Sequence, residues 1–297
     1  MNTPVLAVLA LTVNAFVWGT SWWPFRQLEA LGVHPLWATV LIYGAAVLLI
    51  VLVRPRAFVH LLRTPVLWVL VAASGTTNAA FNWGVVIGDV VRVVLLFYLM
   101  PLWAVLLARW LLHEPLTRLA AARIALALGG AMVVLWPEDG GWPLPSTLAD
   151  WLGVIGGFAF ALNNVMLRRE AHQPEEARAV AMFFGGAFVA ALLAGALTTL
   201  GQVAPIPAAS ASWLAWIGGL ALLFLIGNLA LQYGAARLPA NVTAVVMLVE
   251  VIFASVSAVA LGGGQITTPL LVGGSMILAA TVLASRPSRP GDTIERS

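Results

Sequence analysis

The chain has 297 residues, 61% of them hydrophobic and 9% charged, with a mean hydropathy of +0.97. A water-soluble domain of this length cannot hide so much apolar surface, so the composition points to a polytopic membrane protein. Cysteine is absent, which removes disulfides, thiol catalysis and thiolate metal sites, and all 15 basic residues are arginine in a chain of net charge +3.

In chain order, hydropathy predicts ten apolar stretches, near 5–25, 35–53, 65–86, 91–112, 118–136, 148–169, 178–200, 212–235, 240–261 and 268–285. Each approaches the roughly 20 residues that a spanning helix needs. What remains supplies short loops and tails, too little for a soluble domain. The first stretch begins at Pro4 without a basic leader, so it reads as a retained helix. Pro35, Pro65, Pro239 and Pro269 stand at or near helix starts, where the missing N–H is harmless. Pro101 lies inside the fourth stretch and predicts a kink there.

The longest loop, Trp136–Ser146, carries Glu138, Asp139, Gly140, Gly141, Pro143 and Pro145. It divides the chain into a first five-helix unit, 1–145, a second, 146–285, and a tail, 286–297. With the N-terminus cytoplasmic, thirteen arginines fall on the inner face and only Arg26 and Arg92 on the outer one. That asymmetry predicts both termini inside. Arg26 and Arg92 are then expected to snorkel to the outer interface, the alternative being attraction of anionic solutes.

The two units repeat one another. Asn78-Ala-Ala-Phe-Asn82-Trp83-Gly84 aligns with Asn228-Leu-Ala-Leu-Gln232-Tyr233-Gly234, and Thr117–Gly130 aligns with Thr267–Ala280. A one-residue gap pairs Pro101 with Glu250, and Trp18–Ser21 loosely matches Ala161–Asn164. A repeat of five spans must be inverted relative to its partner, the ground plan of alternating-access transporters with a central site between the halves.

Polar residues inside apolar stretches are the candidate site, because lipid offers them no hydrogen-bond partner. Asn78 and Asn82, four apart, share one helix face, and Asn228 and Gln232 repeat the spacing. These four amides either line a cavity or glue helices together. Glu250 is the single acid well inside a stretch. It either binds a substrate amine, carries a proton or packs; its alignment with untitratable Pro101 favours the cavity wall over proton carriage. Tyr98, Trp83 and Tyr233 offer aromatic contacts for a ring or cation, although Trp83 and Tyr233 stand near span ends, where an interfacial belt is the alternative.

Nothing suggests an enzyme or a cofactor. The four histidines (His34, His60, His113, His172) lack metal-ligand spacing, and no phosphate-binding glycine loop or nucleic-acid motif is present.

The Trp18-Gly19 pair, the run Pro101-Leu-Trp-Ala through His113-Glu114-Pro115-Leu-Thr117, and Leu248-Val-Glu250-Val-Ile resemble the drug/metabolite transporter superfamily, most nearly its ten-helix EamA-type exporters. The acidic-glycine loop at Asp139-Gly140, the Tyr98-Leu-Met-Pro101 run and Asn241-Val-Thr243 are similar to the aromatic amino acid exporters of that branch. Gly262-Gly-Gly264-Gln265 departs from the second-half pattern, which usually closes on a glutamate; this favours a structural role for Glu114. The resemblance implies a multi-pass secondary exporter of the bacterial inner membrane, moving small metabolites, amino acids including aromatic ones. An exporter of cationic drugs or quaternary amines is the alternative reading, with a non-transporting membrane enzyme or scaffold as a remote third.

Overall fold

The computed structural model describes residues 3–113, 118–136, 142, 144–235, 237, 246–247 and 249–284. The motif positions Glu114–Thr117, Asp139-Gly140 and Asn241–Thr243 lie outside them, as does the side chain of Gln232. Thirteen helices occur among the described residues. They are α1 (Thr3–Thr20), α2 (Trp22–Ala30), α3 (Pro35–Val53), α4 (Pro55–Arg63), α5 (Leu67–Ile87), α6 (Val90–Phe97) and α7 (Met100–Leu111). After them come α8 (Arg118–Leu135), α9 (Leu148–Arg169), α10 (Glu175–Thr199), α11 (Ala211–Ala235), α12 (Val249–Leu261) and α13 (Thr268–Ala284).

Six helical stretches among these residues are long and apolar enough to cross a bilayer, and a seventh forms if α4 and α5 count as one bent span. Ile124–Leu135, Val249–Leu261 and Thr268–Ala280 are apolar but shorter. The chain is thus an all-helical, multi-pass membrane protein.

Three elements differ from the hydropathy pattern. The first stretch runs on to Ala30 but breaks at Ser21, whose hydroxyl donates to the Trp18 carbonyl at 2.9 Å. The fourth breaks at Tyr98-Leu99, just before Pro101 as the expected kink requires, and forms two helices in place of one; Pro101 stands in the first turn of α7, where no helical N–H is required of it. The segment 54–64, expected as a loop, contains α4, bent by 106° from α5. Its Ala57 and Leu61 are buried while Arg56, His60 and Arg63 fall on another arc, a period that hydropathy averaging hides.

Packing has a definite pattern. α1 lies against α11 and α12; α9 lies against α5 and against α6 and α7; α3 crosses α10, and α8 crosses α13. α1 and α12 run in the same direction, since Gly19 sits on Glu250 and Ala254 while Trp22 Nε1 donates to Ser257 Oγ at 2.9 Å. α1 and α11 run oppositely, with Asn14 on Gly227 and Leu11 on Gly234. α8 and α13 are also opposed, and they approach at two glycines. A Cβ on Gly130 would lie 2.5 Å from the Gly273 oxygen, and one on Gly273 2.5 Å from the Gly130 oxygen. Lipid supplies no hydrophobic drive between helices, so such backbone contact and its dispersion energy hold the pair.

Gly130→Val should therefore lower the thermal midpoint of the detergent-solubilised protein, the overpacking costing about 1–3 kcal/mol. Gly218→Val, at a glycine with nothing within 4 Å of an added Cβ, should leave it unchanged. Equal melting of both variants in a fluorescence-detected size-exclusion assay would show that the α8–α13 approach does not limit stability.

Candidate functional site: a cavity among the helices

A cavity of about 530 Å³ lies among α1, α3, α5, α6, α7, α9, α10, α11 and α12, within the usual range of small-molecule sites. The break between α6 and α7 turns Tyr98 inward, and its hydroxyl donates to Glu250 Oε2 at 3.3 Å. Glu250, at the start of α12, is 9% exposed and is the one acidic side chain among the lining residues. On the α5 side, Tyr43 donates to Asn78 Oδ1 at 2.5 Å, Asn78 Nδ2 donates to the Ser74 carbonyl at 2.8 Å, and Ser74 donates to the Met182 carbonyl at 3.0 Å. Asn14 Nδ2 donates to the Gly227 carbonyl at 2.8 Å, which fixes the orientation of that amide. Its Oδ1 is buried without a partner, and so is Oδ1 of Asn163; both residues line the cavity. An unsatisfied buried acceptor costs about 1–3 kcal/mol, so both amides gain from any donor that reaches them.

The rest of the wall is aromatic and apolar. Trp18 stacks on Phe224 with centroids 4.8 Å apart, Phe97 meets Phe81 edge-on at 5.0 Å, and Phe160 lies 5.4 Å from Phe97. Phe183, Met100, Met182 and Met247 complete much of the remainder.

Six pairs of lining residues stand 150 positions apart: Asn14 with Asn164, Ser74 with Phe224, Asn78 with Asn228, Phe81 with Leu231, Phe97 with Met247, and Met100 with Glu250. The structural counterpart of Glu250 in this spacing is Met100, next to the Pro101 expected from the gapped alignment.

Of the residues expected from sequence, Asn78, Tyr98, Asn228 and Glu250 come together around the cavity. Asn82 does not: it is fully buried one turn further along α5, donating to Thr39 Oγ1 at 3.0 Å, where α3 fills the space a substrate would need. Trp83 meets the His34 ring edge-on at 5.4 Å, and the Arg237 guanidinium lies 3.8 Å from the centre of the Tyr233 ring, so neither lines the cavity. Asn14, Tyr43, Asn163 and Asn164 were missed. Carrying the Asn78/Asn228 spacing back into the first helix pairs Asn14 with Asn164; the looser match of Trp18–Ser21 to Ala161–Asn164 obscured it. No sequence signal singles out Tyr43.

The cavity is asymmetric along the helices. On α9 it draws on Phe160, Asn163 and Asn164, near the Arg168-Arg169 end, and on α10 it draws on Ala179, Met182 and Phe183, near Arg178. The opposite face is closed by the turn between α5 and α6. Arg92, expected to snorkel, instead forms a bidentate pair with Asp150, at 2.7 and 3.1 Å, and donates to the Val134 carbonyl at 2.9 Å. Asp89 accepts from the backbone N–H of Gln265 at 3.0 Å, and Val90 N–H donates to the Gly263 carbonyl at 3.1 Å. Arg26, the other expected snorkeller, donates to the Gly88 carbonyl at 2.7 Å and lies over the Trp22 ring. The glycines of the α12–α13 turn have a physical reason. A Cβ at Gly263 would strike Trp22, and one at Gly264 would lie 2.7 Å from Asp89 Oδ2.

The fold and site thus define a multi-pass helical membrane protein with a central, partly aromatic cavity closed more firmly on one face. Residues 5–136 match the EamA-like transporter family. No curated protein matches the sequence. A solved crystal structure is similar to this chain over 94% of its length and 95% of its own, with a TM-score of 0.57 and 19% identity, a likeness of fold.

Two substitutions separate scaffold from cavity. Asn82→Ala should lower the thermal midpoint, leaving substrate affinity at the wild-type value in a binding titration; a weakened affinity at unchanged stability would return Asn82 to the cavity. Asp150→Ala should be more damaging than Arg92→Ala, because Asp150 also accepts from the Ser146 and Thr147 N–H groups. Breaking a buried pair costs about 3–5 kcal/mol, and the 30% exposure of the Arg92 side chain puts its own loss at the lower end or below. Melting curves of the two variants read the order directly.

Proposed function

We propose that the chain is a secondary transporter of the EamA-like family that carries small solutes through this cavity by alternating access. The family match supports the transport class, and it spans one five-helix unit, 5–136, as expected if 1–145 and 146–285 are repeats. The inversion of the second unit is supported by the packing. A shift of five spans carries α1–α11 onto α9–α5 and α1–α12 onto α9–α6/α7, while α3–α10 and α8–α13 map onto themselves. Ten spans with both termini cytoplasmic, in a bacterial inner membrane, is the arrangement that also accounts for the thirteen-to-two arginine split. The closed α5–α6 face is then the outer one and the cavity faces the cytoplasm, the loading state of an exporter.

The substrate reading rests on the polar inventory of the cavity. One carboxylate and two unpartnered carbonyl oxygens call for a ligand rich in N–H donors, and the aromatic wall calls for an apolar or aromatic body. Amino acids, aromatic ones included, meet both demands. Their ammonium would sit at Glu250 and the free acceptors, and their carboxylate would fall to the amides of Asn164 and Asn228. Organic cations are the second reading, favoured by the absence of any arginine or histidine among the lining residues. A quaternary amine, however, has no N–H to give Asn14 or Asn163.

Counterflow in proteoliposomes tests this. Preloaded aromatic amino acids should accelerate uptake of labelled phenylalanine over empty-liposome controls, and quaternary amines should not. The reverse preference would hand the cavity to the cation reading, and no flux of either class would end the transport reading for both. Glu250→Gln should slow amino acid exchange about tenfold or more, as loss of a charge-assisted hydrogen bond of about 1.5–3 kcal/mol predicts. Normal exchange with loss of pH-driven accumulation would make Glu250 a proton carrier.

A further inference from the structure

A second concavity, of about 460 Å³, shares no lining residue with the central cavity and lies where α3 ends, α4 begins and α10 begins. Arg54, Arg56 and His60 line it from one side and Pro174, Glu176 and Ala177 from the other. The family match and the transport reading leave it unused.

Its surroundings are those of a membrane interface. α4 is bent by 106° from α5, so with α5 crossing the bilayer α4 lies nearly in the membrane plane. Ala57 and Leu61 are buried against the body of the protein, which holds the helix in place. Arg56, His60 and Arg63 occupy one arc of about 60°, and Val59 and Leu62, 45% and 51% exposed, occupy the arc beside it. The adjoining end of α3 adds Leu52 and Val53, 72% and 66% exposed. A helix with a basic arc, a lipid-facing arc and a protein-facing arc is built to sit at headgroup depth.

Charge gives the pocket a preference. Neither the Arg54 nor the Arg56 guanidinium has a hydrogen bond or ion pair among the described residues, and Pro55 between them fixes the turn that presents both. His60 is occupied, its Nε2 lying 2.9 Å from Gln173 Oε1. Glu176 is the one acid in the lining, so two arginines against one carboxylate leave a net positive pocket. A single phosphodiester matches that surplus. Guanidinium groups bind phosphate oxygens bidentately, and the aliphatic surface alongside has no use for a free anion but suits acyl chains. We propose that this pocket binds the headgroup of an anionic phospholipid, with Arg54 and Arg56 on its phosphate and its acyl chains along Leu52, Val53, Val59 and Leu62.

Native mass spectrometry of the full-length protein in neutral detergent tests the assignment, with dioleoyl-phosphatidylglycerol and dioleoyl-phosphatidylcholine as probes. The wild type should retain phosphatidylglycerol at lower concentration than phosphatidylcholine. The double variant Arg54→Gln/Arg56→Gln should bind phosphatidylglycerol about thirtyfold more weakly, the factor expected when two arginines stop attracting an anionic lipid. Arg237→Gln, at an arginine outside the pocket, should bind as wild type, and unchanged melting of the double variant without lipid shows that it is folded. Equal retention of the two lipids, or no loss in the double variant, overturns the proposal. Displacement of phosphatidylglycerol by millimolar inorganic phosphate also overturns it, since the pocket would then be a soluble-anion site.

Discussion

Inside a bilayer a polar group must find its partner within the protein, because the hydrocarbon offers none. Most of the interior of this chain obeys that constraint locally. Thr12, Thr39 and Thr77 each return their hydroxyl to the carbonyl four residues back, at 2.8–2.9 Å. Asn78 is bound between Tyr43 and Ser74, and Asn82 reaches Thr39. The unpartnered Asn14 Oδ1 and Asn163 Oδ1, on residues of the cavity wall, are therefore informative. Asn82 Oδ1 and Thr198 Oγ1 are also unpartnered, on residues away from the cavity, so the open oxygens of Asn14 and Asn163 count because these residues line it together with Glu250.

The same solvent dictates how the helices meet. Association in lipid depends on close backbone approach, and the glycines serve that need at particular crossings rather than everywhere. Gly185 lies against the Val71 carbonyl, Gly157 against the Phe97 carbonyl and Gly130 against Gly273, so these crossings leave no room for a methyl group. Gly195, Gly218 and Gly219 have nothing within 4 Å of an added Cβ. The Phe97–Gly157 contact also bears on function. It seats the end of α6 on α9 where the helix breaks and Tyr98 turns towards Glu250.

Much of this was legible in the sequence because hydropathy and the helical period report burial directly. Among the described residues six or seven of the apolar stretches are helices long enough to span a bilayer, and the amides Asn78 and Asn228 both line the cavity. Asn82 shows the limit of the argument. Four residues from Asn78, it shares a helix face, but a helix in a polytopic protein meets different neighbours at each turn, and at Asn82 the neighbour is α3. α4 escaped because nine amphipathic residues average to neither loop nor span. The Arg92–Asp150 pair joins residues 58 apart in separate units, a meeting that only the three-dimensional packing can bring about.

That pair and the Asp89 contacts couple the two halves of the chain on one face of the molecule. Asp89 and Arg92 stand three residues apart on one turn, Asp89 with its carboxylate on the α12–α13 turn and Arg92 with its guanidinium on Asp150 at the start of α9. Both partners belong to the second half of the chain, so the turn cannot leave that half without breaking an ion pair and a carboxylate–amide bond together. The cavity, by contrast, draws on the far ends of α9 and α10, where among the described residues no ion pair joins the two halves. The two faces therefore differ in what must be broken to open them. Breaking the ion pair would strip the Asp150 carboxylate, 2% exposed, of its guanidinium, which is the larger cost.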